Sequence, residues 1–100
     1  MNSGCAVIAS DAAGSTPYLV DHGANGCIYH SGSGSELYGN VARLLKHPSE
    51  RECLGKSAYE TITDTWNAQV AAGRLCALIR AILAGDPSPE LYSEGPCSRA

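Results

Sequence analysis

The chain has 100 residues, 44% of them apolar, with no Phe, a single Trp and a formal net charge of −3. That is one domain or part of one, able to cover about two-thirds of its unfolded surface. Seven thinly spread basic residues argue against a nucleic-acid footprint, and no apolar run approaches the ~20 residues that a membrane span needs.

The N-terminus, MNSGCAVIAS, lacks the basic region of a secretory signal. Within it, CAVIA (residues 5 to 9) is too short for a helix and rich in small and branched apolar residues. A short continuous apolar run predicts a strand buried on both faces, as in a parallel sheet. Gly14 marks a loop, and Thr16-Pro17 reads as a helix cap followed by the first helical residue. One or two helical turns, PYLVD, end at Gly23, and HGAN (22 to 25) is turn chemistry. Residues 27 to 29 form a second short strand. A connection that contains a helical turn predicts parallel neighbours.

Three helices are expected next. Ser33 and Glu36 stand in the S-x-x-E spacing of a capping box, and Ser49 and Glu52 repeat it. Leu37, Val41, Leu44 and Leu45 give the first helix an apolar face, which His47-Pro48 ends. Leu54, Ala58 and Ile62 form a narrower stripe on the second. Thr65 is placed to cap a third helix opening at Trp66, with Ala71, Leu75, Leu78, Ile79, Ile82 and Leu83 on its face. Gly85 is placed at the C′ position and Pro87 stops the helix. Residues 85–100 hold three of the five prolines and read as a mobile tail. Leu, Ile, Val, Ala and Tyr are left to build the core.

Five cysteines stand at 5, 27, 53, 76 and 97, with no C-x-x-C and an odd count. A disulfide framework and a zinc site are both disfavoured, and a reducing cytoplasm fits. The thiols are expected to act as small hydrophobes. His22, His30 and His47 share no ligand spacing and read as turn or helix-end residues. Glu50, Glu52, Glu60 and Asp64 read as a solvated helix face, with no close carboxylate pair for acid–base work. Trp66 reads as a packing anchor.

The order of these elements brings a family into view. The sequence resembles the C-terminal end of a GT-B glycosyltransferase of the large retaining family numbered four. The matching residues are Met1, Gly4, AVIASD (6 to 11), Gly14, Pro17 and VDHGANG (20 to 26). Further on they are Leu44-Leu45, Arg51, Leu54-Gly55, Ala58 and Thr65-Trp66. The likeness covers residues 1–84. It implies a fragment of a partial Rossmann-like α/β unit, two short parallel strands followed by three helices, with the tail from 85 to 100 outside it. The parent activity it implies is transfer of a sugar from a nucleotide-sugar donor to an acceptor.

Two departures limit what carries over. The family loop of the Gly-Gly-x-Pro-Glu type is here Ala13-Gly14-Ser15-Thr16-Pro17-Tyr18, one residue longer, with Tyr18 where Glu is common. The family's paired glutamates and its diphosphate-binding basic residues lie upstream of the stretch that Met1 matches. The resemblance therefore implies no catalytic residue, no metal and no resident cofactor for this chain, whose isolated form is expected to be inactive.

The candidate binding residues are Asp11, Gly14, Ser15 and Thr16, a loop that would border the donor cleft beyond a strand's C-terminal end. Read alone, the same loop is an ordinary strand-to-helix turn, because neither glycine-rich phosphate motif is present. Asp11 is equally suited to capping that loop through its own side chain. A different class of function stays open beside the glycosyltransferase. The chain would be a non-catalytic α/β scaffold that self-associates through an unpaired strand edge. A receiver- or flavodoxin-type nucleotide module is a weaker fit, since such folds need about five strands.

Overall fold

The computed structural model describes residues 1–98. In chain order the elements are β1 (Ile8–Ser10), α1 (Thr16–Leu19), β2 (Cys27–Tyr29), α2 (Gly34–Lys46), α3 (Pro48–Glu60), a π-helical turn (Thr61–Thr65) and α4 (Ala68–Leu83). The chain is mixed α/β and divides into two compact units, residues 1–63 and the part from Asp64 onward.

In the first unit β1 and β2 pair in parallel, with Ile8 opposite Cys27, Ala9 opposite Ile28 and Ser10 opposite Tyr29. The ladder starts where Cys27 N–H donates to Val7 O (2.8 Å) and ends where Asp11 N–H donates to Tyr29 O (3.0 Å). The parallel pairing is as the sequence predicts, but β1 begins three residues later than the expected 5 to 9. The partner sets this limit. Residues 21 to 26 are folded into a turn in which Asp21 O accepts from the N–H groups of Ala24 and Asn25, so no strand stands opposite Cys5 and Ala6. That segment lies against α3 instead. A Cβ on Gly55 would stand 2.2 Å from the Gly4 carbonyl oxygen, so only glycine permits the approach.

Caps decide the helix boundaries. Ser33 Oγ accepts from Glu36 N–H (3.4 Å) and opens α2 as expected. The second expected capping box does not form. Pro48 takes the first position of α3 after His47, which places Ser49 inside the helix. Thr16 is not a cap either. It is the first residue of α1, after Ser15, and its hydroxyl donates to Ser10 O (2.8 Å). After α3, the hydroxyls of Thr61 and Thr63 donate back to Ser57 O and Tyr59 O, and the backbone widens into the π turn. Thr65 belongs to that turn, so α4 starts later than expected, capped by Asn67, whose Oδ1 accepts from Val70 N–H (2.9 Å). At its end Gly85 has φ +80°, its N–H donates to Ile82 O, and Asp86 N–H donates to Ala81 O. Those two bonds form a Schellman motif, in agreement with the C′ assignment.

The core of the first unit is small. Cys27, Leu44 and Leu54 cluster there, with Ala6 and Ile8 packed against them. Ala58 is also buried. No tyrosine joins, and of the apolar stripe on α2 only Leu44 is buried, while Leu45 stays 67% exposed. Of the five cysteines only Cys27 is buried, and Cys5, Cys53 and Cys76 are exposed, against the expectation for thiols as hydrophobes. Arg43 links the layers, with Nη2 on Cys27 Sγ (3.1 Å) and Nε on Glu50 (3.4 Å).

In the second unit α4 has no buried residue, and Leu75, Ile79, Ile82 and Leu83 are exposed. Of the segment expected as a mobile tail, residues 99 and 100 lie outside the described residues, and residues 92 to 96 are tied to α4 through Arg74. Its guanidinium donates to the carbonyls of Glu94 and Pro96 and lies over the Tyr92 ring at 4.1 Å. Trp66 is half-buried.

Candidate functional site at the strand ends

Both strands run in one direction, so the loops that leave them, 11 to 16 and 30 to 33, emerge at the same end of the sheet. Open α/β sheets place ligands at that end. Asp11 ties the two loops together, because its Oδ1 accepts from Ser31 N–H at 2.8 Å. This bond reaches across the strand ends. A local loop cap, one of the two roles the sequence left open, would have stayed within the turn after β1; the other, a polar residue of a cleft, is compatible with this bond.

The remaining candidates are placed as follows. Gly14 and Ser15 are exposed on the first loop, and Ser15 precedes α1 without a side-chain cap bond. Thr16 is 3% exposed, its hydroxyl engaged with Ser10 O, so it holds the loop in shape and does not face a ligand. Ala12 N–H donates to Ser10 Oγ (3.2 Å) and Ala13 N–H to Ser10 O (3.1 Å), which closes the turn after β1.

Beside Asp11 stands a pair that sequence reasoning did not single out. His30 follows β2, and Glu36 lies in the first turn of α2. The Glu36 carboxylate accepts from His30 N–H (2.8 Å) and meets His30 Nδ1 at 3.1 and 3.2 Å. The imidazole is thereby oriented with Nε2 toward solvent. Its pKa is raised, first by the hydrogen bond to Glu36, then by that carboxylate's charge and by the charge of Asp11. Glu36 is held below its ordinary value, first by the backbone N–H of His30 and then by its ring. The signal for this pair was present in the sequence. A histidine leaving a strand, six residues before the glutamate of a capping box, lies within reach of it once the helix folds back.

His22 serves a different purpose. Its Nδ1 accepts from Ile28 N–H (2.8 Å), on the side of β2 away from β1. His47 joins α2 to α3 without a side-chain cap bond. Neither lies in the strand-end cluster.

Chemically, the site offers two carboxylates and one imidazole, Asp11 and His30 after the strands and Glu36 in the first turn of α2. An ionised carboxylate has about four acceptor positions, so Asp11 and Glu36 keep capacity beyond the bonds described. Acceptors of this kind suit hydroxyl groups and repel phosphate oxygens. Among the described residues no three His, Cys, Asp or Glu side chains converge to hold a metal ion, and no helix is long and apolar enough to cross a membrane. Comparison of the chain with family models, with curated proteins and with solved structures yields no match.

Proposed function

We propose that the chain is part of the nucleotide-sugar-binding domain of a glycosyltransferase, a Rossmann-like unit of the GT-B kind, and that its strand-end site borders the donor. One observation carries the reading. Two parallel strands joined by a loop and a helical turn present both exit loops on one side, with Asp11 bonded across them to Ser31. The ordered likeness of residues 1–84 to that family supports the same assignment.

The charge of the site narrows the role. Asp11, His30 and Glu36 offer acceptors and an oriented imidazole, which fit the hydroxyls of a sugar or ribose. The diphosphate and its charge neutralisation, the dominant electrostatic contribution in such transfers, belong to other parts of the parent. This chain alone is a half-site that binds weakly and does not turn over. Addition of UDP- or GDP-sugars to the ¹⁵N-labelled chain tests the reading. It predicts amide shifts confined to residues 11–16 and 30–36, and shifts spread elsewhere would refute it.

A self-associating scaffold is the second reading. It is favoured by one feature, the outer edge of β1, which pairs with no further strand among the described residues.

A further inference from the structure

His30 and Ser31 leave β2 one after the other, and each backbone N–H is held by a carboxylate from a different element. Glu36 Oε2, on α2, accepts from His30 N–H, and Asp11 Oδ1, after β1, accepts from Ser31 N–H, each at 2.8 Å. The same Glu36 carboxylate meets His30 Nδ1 at 3.1 and 3.2 Å. One acceptor therefore grips both the backbone and the ring of His30. The imidazole is fixed at the strand end although that side chain is 80% exposed.

An ionised carboxylate accepts and never donates, so Nδ1 carries a proton whether the ring is charged or neutral. Titration of the ring then changes one position only, Nε2, on the side of the ring away from Glu36. In the charged ring Nε2 donates, and in the neutral ring it accepts. The charged groups that act on the ring are Glu36 from α2 and Asp11 from the loop after β1. With the ring charged, one positive charge stands against two negative ones, and the cluster offers a donor beside its acceptors. With the ring neutral, the three side chains offer acceptors only, and both negative charges are uncompensated. A sugar hydroxyl both donates and accepts, so the first state matches it and the second leaves its acceptor side unused. The diphosphate of a sugar nucleotide is also repelled more by the second state.

We propose that His30 is the proton-linked contact of the strand-end site, its Nε2 donating to a hydroxyl of the sugar donor, with the proton taken up from solvent on binding. This role rests on the sugar-donor reading of the site and adds which side chain meets the hydroxyl, and in which charge state. The Glu36 and Asp11 carboxylates favour the charged ring, so the competent state extends toward neutral pH. As pH rises through the His30 value the ring loses its proton and donor affinity falls. By linkage, bound donor must in turn hold the proton on the ring to higher pH.

The test uses the whole chain, with UDP-glucose and GDP-mannose as probes. Amide shifts in residues 11–16 and 30–36 give the affinity at about pH 6 and about pH 8, a range in which histidine titrates while ordinary carboxylates and a diphosphate diester do not. Affinity is expected to be weaker at the higher pH by roughly threefold, the scale of an exposed charged contact. The His30 ring resonances are expected to titrate at higher pH with donor bound than without it. His30→Gln is expected to remove the pH dependence. Sodium sulfate, an anion without hydroxyls, is expected to move the His30 titration less than the donor does. Equal affinity at both pH values, a His30 titration that the donor leaves in place, a pH dependence that survives in His30→Gln, or an equal effect of sulfate each overturns the proposal while the sugar-donor reading stands. Absence of shifts in both loops at both pH values overturns that reading and the proposal with it. If His30→Gln disturbs folding, the ring titration of the unmodified chain still decides.

Discussion

Replacing Gly55 with alanine sets two effects of known size against each other. Within a helix, Gly→Ala is worth up to about 1 kcal/mol of added stability. Gly55 lies inside α3, where this gain would apply. Against it, the new Cβ would lie 2.2 Å from the Gly4 carbonyl oxygen, 3.2 Å from the Gly4 carbonyl carbon and 3.3 Å from Ala6 N. The obstacle is backbone, which must retreat by more than 1 Å and carries Ala6 and Ile8 with it, the residues packed on the core cluster. Overpacking of this kind costs about 1–3 kcal/mol, so the gain is cancelled and the net effect is a loss of up to about 2 kcal/mol. Gly39→Ala is the control. Gly39 lies within α2 of the same unit with nothing within 4 Å of its Cβ position, and its replacement should stabilise by up to about 1 kcal/mol. Urea unfolding followed by far-ultraviolet circular dichroism, with hydrogen exchange of amides in residues 1–63, measures both. If Gly55→Ala stabilises as much as Gly39→Ala, α3 does not pack on the N-terminal segment as described.

Two further outcomes are expected. The His30–Glu36 pair contributes fully only between the ordinary carboxylate and imidazole values, about 4.5 and 6.5. Because the His30 pKa is raised in the fold, its share is present below 6.5 and fades as pH rises through the raised value. Because that of Glu36 is lowered, its share is present above 4.5 and fades as pH falls through the lowered value. An NMR titration should find His30 above the ordinary value and Glu36→Gln should bring it down; an unchanged titration would dissolve the pair. Asn25→Ala should cost about 1–3 kcal/mol, because it removes three hydrogen bonds made by a buried side chain. Asn25 is 9% exposed, accepts from Asp21 N–H and donates to Leu19 O and Thr61 Oγ1. Unchanged urea stability would show that water replaces those bonds at no cost.

What could be read from the sequence was whatever depends on neighbours along the chain. The two apolar runs, the helical turn between them and the resulting parallel pairing were legible, as were the Ser33 cap and the Gly85 terminus. What could not be read depends on residues far along the chain. The start of β1 is set by where β2 begins, and the close approach of Gly55 to Gly4 joins segments fifty residues apart. The choice of Asn67 over Thr65 as a cap follows from threonine side chains bonding back onto α3 and widening its end. Tyrosines were expected inside by elimination, yet Tyr18, Tyr38, Tyr59 and Tyr92 are exposed because the small core is filled by Cys27, Leu44 and Leu54. At the site, the exit loop of β1 was legible and Asp11 with it. Its bond to Ser31 was not, since it forms only when β2 is laid beside that loop, whereas the His30–Glu36 pair, six residues apart, left a local signal that was passed over.

The central claim is that the two exit loops form one donor-facing site, and a residue-resolved titration of the full chain tests it most directly. UDP- and GDP-sugars are added to millimolar concentration, and amide shifts are followed in the unmodified chain and in Asp11→Ala. The account predicts that residues 11–16 and 30–36 shift together along one binding curve for at least one donor, and that Asp11→Ala, which unties Ser31, abolishes both sets. No shift in either loop at millimolar donor, or a shift in one loop that leaves the other unmoved, would contradict it.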